Sequence, residues 1–160
     1  MMQIRIVAVG KIKEKFLQDG IREYEKRLRP YANVQISEIP EEKRTASASV
    51  STAKAAMEKE GERILAALPA GSFVIVLDVK GQGWSSEELA ESFRQWELAG
   101  LNQLAFVIGG DLGLSPAVLA RSNHCLSLSR MTFTHPMARL LLVEQVYRAF
   151  RILRGEPYHK

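Results

Sequence analysis

The sequence predicts an α/β fold with a mostly parallel sheet and helices on both of its faces. Three observations predict it. Strand-like and helix-like segments alternate along the whole chain, the pattern of successive βα units. Residues 72–78 (SFVIVLD) and 104–108 (LAFVI) are almost wholly apolar, the mark of strands covered on both faces. The chain has 160 residues, 46% hydrophobic and 25% charged, which is the size and composition of one globular domain, 1–160.

Each element has its own signal. Residues 3–9 (QIRIVAV) alternate and are β-branched, a strand that Gly10 stops. Residues 14–29 carry Phe16, Leu17, Ile21, Tyr24 and Leu28 at helical spacing, and Pro30 follows. Residues 34–39 (VQISEI) alternate again as a strand, and the polar stretch 40–51 predicts a loop. Residues 52–68 predict a helix, with Ala56, Met57, Ile64, Leu65 and Leu68 along it. After the strand at 72–78, Ser85 and Glu88 form a capping box for a helix reaching about Ala99. After the strand at 104–108, Ser115-Pro116 reads as N-cap and first residue of a short helix to Arg121. Residues 124–128 predict a short strand. Residues 137–153 predict a long helix, closed by Arg154-Gly155 and Pro157.

Composition excludes several classes. One cysteine, Cys125, allows no intrachain disulfide, and no Cys/His cluster has zinc spacing. Both facts fit a reduced, cytoplasmic setting. Apolar runs of at most five residues, such as 73–77, are too short for a membrane span. The N-terminus has no signal-peptide core, and strand-like sequence from residue 3 speaks against a transit peptide. The net charge of +4 is uneven. Residues 1–44 hold ten basic and seven acidic groups (+3), residues 45–129 six and nine (−3), and residues 130–160 six and two (+4). Two basic flanks around an acidic middle attract polyanions, although a plain solvated surface explains charge of this size equally well.

In open α/β sheets, ligands bind at the carboxyl ends of strands. Three such ends carry unusual chemistry. Leu77-Asp78-Val79-Lys80-Gly81-Gln82-Gly83 follows one buried strand, and Ile108-Gly109-Gly110-Asp111-Leu112-Gly113 follows the other. Neither is GxGxxG, so a dinucleotide fingerprint is absent. Glycines there suit a flat ligand against open backbone, or simply a tight turn. The third end, 126–136 (LSLSRMTFTHP), offers four hydroxyls, Arg130 and His135 before the last helix. Thr134 or His135 also reads as a cap for the helix that Pro136 opens. That helix bears a broad apolar stripe, fit for core packing or an oligomer interface. Arg139, Arg148, Arg151 and Arg154 lie on or beside it, with Glu144 the one acidic residue opposing them before the cap. The chain ends on Tyr158-His159-Lys160, a stacking ring, a titratable ring and a cation.

These segments together resemble the RlmH family, SPOUT-class methyltransferases that modify a pseudouridine of large-subunit ribosomal RNA. The resemblance is carried by VAVGKIKEKF at 7–16, EYEKRL at 23–28, EIPEEKR at 38–44, KEGERIL at 59–65 and FVIGGDLGLS at 106–115. SLSRMTFTHPMAR at 127–139, VEQVYRAFRILRG at 143–155 and PYHK at 157–160 complete it along the full length. One departure is visible: the family reads TFPH where this chain has Thr134 in place of the proline.

The resemblance implies a C-terminal trefoil knot, S-adenosylmethionine as methyl donor, and a homodimer joined through the last helix. It implies donor contacts at Leu77, Gly109, Arg130, Met131, Thr132, Phe133, Thr134 and His135. The implied substrate is N3 of a pseudouridine in 23S ribosomal RNA within the ribosome, with no DNA or membrane partner. For that chemistry His159 is the favoured base, ahead of His135 and Glu144, and Tyr158 the base- or phosphate-binding ring. Arg139 or Arg148 is the cation for the developing anion. With no length left for a separate RNA reader, the basic N-terminal part and the last-helix arginines are expected to face the RNA. Two other classes fit parts of the sequence: a nucleotide-binding oxidoreductase, weakened by the missing GxGxxG, and a non-catalytic ribosome assembly factor.

Overall fold

A computed structural model of the chain describes residues 1–43 and 49–160. Its elements run β1 (Met2–Val9), α1 (Lys15–Leu28), β2 (Ala32–Ile39), α2 (Val50–Ala67), β3 (Phe73–Gly83) and α3 (Ser86–Leu98). They continue with β4 (Gln103–Ile108), α4 (Pro116–Arg121), β5 (His124–Ser127) and α5 (His135–Leu153). Among the described residues the strands form one sheet in the order β2-β1-β4-β3-β5, every pair parallel. The expected α/β class with a parallel sheet is the fold observed. None of the described helices is long and apolar enough to cross a membrane.

Two-residue periodicity explains the layering. Along β1, Ile4, Ile6 and Ala8 face one core while Val7 and Val9 face another. On β4, Leu104, Phe106 and Ile108 join the first core, and Ala105 and Val107 the second. Helices α1, α3 and α5 cover the first face, where Phe93 meets Phe150 at 5.1 Å and Phe106 at 6.3 Å between ring centroids. Helices α2 and α4 cover the second with Ile64 and Val118. β4 is therefore apolar on consecutive residues, the signal its sequence displays, whereas β1, read as alternating, is buried on consecutive residues from Ile6 to Val9.

Caps form as the side chains dictate. Ser85 and Glu88 make the reciprocal capping box of α3, and Ser115 accepts from the Val118 N–H at the start of α4. Several boundaries differ from the sequence reading, β2 for one starting at Ala32 instead of residue 34, and three have a local cause. Helix α2 starts at Val50, capped by Ser49, because the small residues there take helical geometry despite their polarity; part of the loop expected at 40–51 lies outside the described residues. Helix α5 starts at His135, two residues early, because Thr134 accepts from the Met137 N–H and Pro136 fits a first helical turn. Strand β3 reaches Gly83 instead of ending at Asp78. Leu77 pairs with Leu126, residues 78–81 bulge out, and Gln82 returns to the same Leu126. Only glycine fits at the crossing, since a Cβ on Gly81 would lie 2.7 Å from the Cys125 carbonyl oxygen.

Candidate functional site

β3 leads to α3 on one face, whereas β4 leads to α4 on the other. Their carboxyl ends therefore part, the switch point at which open α/β sheets bind ligands. A cleft of about 520 Å³ opens there, walled by the segments that follow β3, β4 and β5. Leu77, Ile108 and Leu114 give it an apolar side; Asp78 and Asp111 give it carboxylates; Ser129, Thr132 and Thr134 give it hydroxyls. The glycine turn is tight. A Cβ on Gly109 would meet Leu114 at 3.0 Å and the Gly113 backbone at 3.2 Å, and Gly113 has φ of 81°, which glycine adopts freely.

Helix α5 closes one side of the cleft through His135. Its Nδ1 lies 3.3 Å from Asp111, and its Nε2 would touch a Cβ on Gly10 at 3.4 Å. One turn further, Arg139 is 3% exposed and acts as a clamp: it donates to the Glu38 carboxylate at 2.7 Å and to the Gly10 carbonyl at 3.1 Å. The first turn of α5 is thereby tied to the ends of β1 and β2. Beneath the glycine turn, buried Glu60 accepts from the Glu42 N–H at 2.9 Å, and burial pushes its carboxyl pKa up.

The chain's last residues fold back onto α1, α3 and α5. Tyr158 donates to Glu144 at 2.9 Å and its hydroxyl lies 3.2 Å from that of Tyr24. The Arg148 guanidinium stands 4.7 Å over the Tyr158 ring and also binds Glu144 at 2.9 Å. Burial, then the Tyr24 and Glu144 hydroxyl and carboxylate contacts, raise the Tyr158 phenol pKa well above its ordinary range. His159 bridges Arg148, 3.1 Å from Nδ1, and Glu87, 2.5 Å from Nε2. A guanidinium only donates, so Nδ1 accepts and the ring proton belongs on Nε2, toward Glu87. The Glu87 carboxyl is held below the usual range by its own backbone N–H first and by His159 next.

Seven of the eight expected donor contacts line one cleft: Leu77, Gly109, Met131, Thr132, Phe133, Thr134 and His135. Arg130 is exposed on the same loop and is not among the lining residues. Arg148, Tyr158 and His159 gather in a second cluster, and Arg139 stands apart from them in its clamp. The last-helix arginines, expected to face the RNA, each have a carboxylate partner within the chain. These are Glu38 for Arg139, Glu144 for Arg148, Glu156 for Arg151 and Glu97 for Arg154. Sequence reasoning missed Tyr24 and Glu87, which no local pattern links to the terminus. It also passed over Asp111, whose place inside the glycine turn was an available signal.

The whole chain has known relatives. The family described as "predicted SPOUT methyltransferase" matches residues 2–159. A protein of Symbiobacterium thermophilum named ribosomal RNA large subunit methyltransferase H is 56% identical over 161 residues, covering 99% of this chain and 100% of that one. Its namesake in Carboxydothermus hydrogenoformans is 53% identical over 159 residues, with the same coverage. Among solved structures, a probable methylase family protein of Haemophilus influenzae superposes with a TM-score of 0.56 at 17% identity. It covers 98% of this chain and 70% of that one, a likeness of fold.

Proposed function

The chain belongs to the SPOUT methyltransferase family, among the ribosomal RNA large subunit methyltransferases H, and from that membership we infer that it methylates N3 of a pseudouridine in 23S ribosomal RNA with S-adenosylmethionine. The observation that carries the reading is the cleft where the ends of β3, β4 and β5 meet. Its contents fit the donor. Leu77, Ile108 and Leu114 offer apolar faces to an adenine, and the crowded Gly109 leaves backbone open where any Cβ would intrude. Asp78 and Asp111 suit ribose hydroxyls and a cationic amino-acid portion. When bound, S-adenosylmethionine supplies an electrophilic methyl on a sulfonium.

The remaining work belongs to the chain: to hold the target nitrogen in line and to take its proton. His159 is the proposed base. Its Nδ1 lone pair is engaged by Arg148, so that contact must open before the ring takes a proton. Arg148, once released, is the cation for the anion spread over N3 and its two flanking carbonyls. Arg139 supports the site by position, because its clamp fixes the turn that carries His135. A homodimer through α5, a trefoil knot tied near the Gly81 crossing, and a cytoplasmic setting complete the proposal. Recognition of the assembled ribosome falls to exposed cations near the cleft. Lys11 follows Gly10 beside His135, and Arg130 lies on the cleft loop; neither has a carboxylate partner among the described residues. The test is calorimetry with S-adenosylmethionine and NAD, together with labelled methyl transfer to ribosomes lacking the modification and to free ribosomal RNA. Donor binding with transfer to ribosomes is expected; NAD binding without S-adenosylmethionine binding, or ribosome association without transfer, contradicts it.

A further inference from the structure

A second cavity, of about 350 Å³, lies beside the cleft. Phe133 and Leu128 line both, so the two spaces adjoin at these side chains. The second cavity is walled by Trp84 and Leu141 and carries polar groups at Ser86 and Gln145. Trp84 is held rigid by stacking on His124, with 4.2 Å between ring centroids and 14° between planes. At this volume the cavity sits at the small end of ligand sites, suited to one aromatic heterocycle.

What lies on its far side gives it meaning. The Gln145 carboxamide accepts from Ser86 Oγ at 2.6 Å and donates to Glu144 at 2.8 Å. Glu144 is the hub of the cluster that holds Arg148 and Tyr158, and Ser86 is the chain neighbour of Glu87, the partner of His159. The cavity thus stands between the cleft and the cluster of titratable side chains, bounded by Phe133 on one side and Gln145 on the other.

We propose that this cavity receives the extruded pyrimidine base of the RNA substrate. The proposal rests on the methyltransferase reading above and locates the substrate's half of that site. A base modified on its pairing edge must leave the helix, and a flipped base is held by flat apolar walls and read by hydrogen bonds on that edge. Phe133 and Trp84 are the walls. Gln145 offers one donor and one acceptor, the complement of a ring carbonyl beside an N–H, and the Ser86 hydroxyl can turn to either role. From this cavity the edge of the base has the cleft on one side and the Glu144–Arg148–His159 cluster on the other. Gln145 and Ser86 are then substrate-reading residues, and Phe133 serves both compartments.

The experiment uses the full-length protein with Gln145→Ala and, separately, Ser86→Leu, which fills the cavity's polar side. Three readouts are taken: calorimetric binding of S-adenosylmethionine, methyl transfer to ribosomes lacking the modification, and solution mass by light scattering. Donor affinity within about twofold of the parent, unchanged mass, and transfer reduced by about tenfold or more are expected, the loss a missing edge contact produces. Transfer within about threefold of the parent in both variants overturns the proposal. So does a parallel loss of donor affinity, which assigns the cavity to the donor, or a change of mass, which assigns it to a second copy of the chain. A parent protein that transfers no methyl overturns the functional reading and the cavity's assignment with it; an active parent with unimpaired variants overturns the assignment alone.

Discussion

Replacing Arg139 with methionine tests how the cleft is held together. The side chain is 4% exposed and bridges Glu38, whose own side chain is 41% exposed, to the Gly10 carbonyl. Methionine keeps most of the apolar stem and removes both bonds. Breaking a fully buried ion pair costs about 3–5 kcal/mol, and a half-open partner that water can reach places this one near the bottom of that range or below it. The Gly10 carbonyl, left without its donor, adds about 1 kcal/mol. A total of about 3 kcal/mol corresponds to about 6–12 °C in Tm for a chain of this size. Thermal unfolding followed by circular dichroism measures it. Glu38→Gln keeps the Gly10 bond and should cost about 1 kcal/mol, or about 2–4 °C. Because Gly10 packs against His135 at the cleft, Arg139→Met should also weaken donor binding several-fold. A variant with the parent's Tm and donor affinity but a depressed kcat would refute the clamp and make Arg139 a participant in the chemistry.

Removing residues 156–160 should leave donor binding intact and lower methyl transfer by about a hundredfold, the contribution of a positioned base; ordinary turnover in labelled-methyl assays would exclude the tail from catalysis. Gly81→Ala forces a Cβ to within 2.7 Å of the Cys125 carbonyl oxygen, so it should cost about 1–3 kcal/mol in urea unfolding. Burial holds the His124 imidazole pKa below its ordinary 6.5. The folded chain therefore binds this proton less readily than the unfolded chain, and this contribution to stability is full above about pH 6.5 and declines as pH falls through that value. Urea midpoints between about pH 7.5 and pH 5 should fall, and His124→Phe should flatten the slope; an unchanged slope in the variant would contradict it. Thr134→Ala removes the α5 N-cap bond and should cost about 1 kcal/mol, seen as a lower Tm.

The parallel sheet and its helices were legible because their signals are local. Consecutive apolar residues on β3 and β4 announce two covered faces, and the Ser85–Glu88 and Ser115–Pro116 pairs mark helix starts by chemistry that operates within four residues. What stayed hidden depends on partners far away in sequence. The glycines after Leu77 read as a turn, yet Gln82 and Gly83 return to the sheet because β5 offers Leu126 and Ser127 for pairing. The last-helix arginines read as cations opposed by Glu144 alone, because Glu38 and Glu97 are brought to Arg139 and Arg154 only by folding. The start of α5 was obscured by Thr134, His135 and Pro136, which break the apolar period while still supplying a good cap. The same distance effect hides the tail cluster: the sequence points to Tyr158 and His159 by their chemistry, but Tyr24 and Glu87 join them from α1 and α3.

In the proposed function, this cleft and the cluster of Arg148, Tyr158 and His159 place a methyl group on one nitrogen of one ribosomal base. Ribosomes from a strain lacking the modification, incubated with the full-length protein and S-adenosylmethionine, can be digested and their nucleosides resolved by mass spectrometry. A single new product is expected, a pseudouridine of 23S ribosomal RNA methylated at N3. An unmodified digest, or a methyl group on a different atom or a different base, would contradict it.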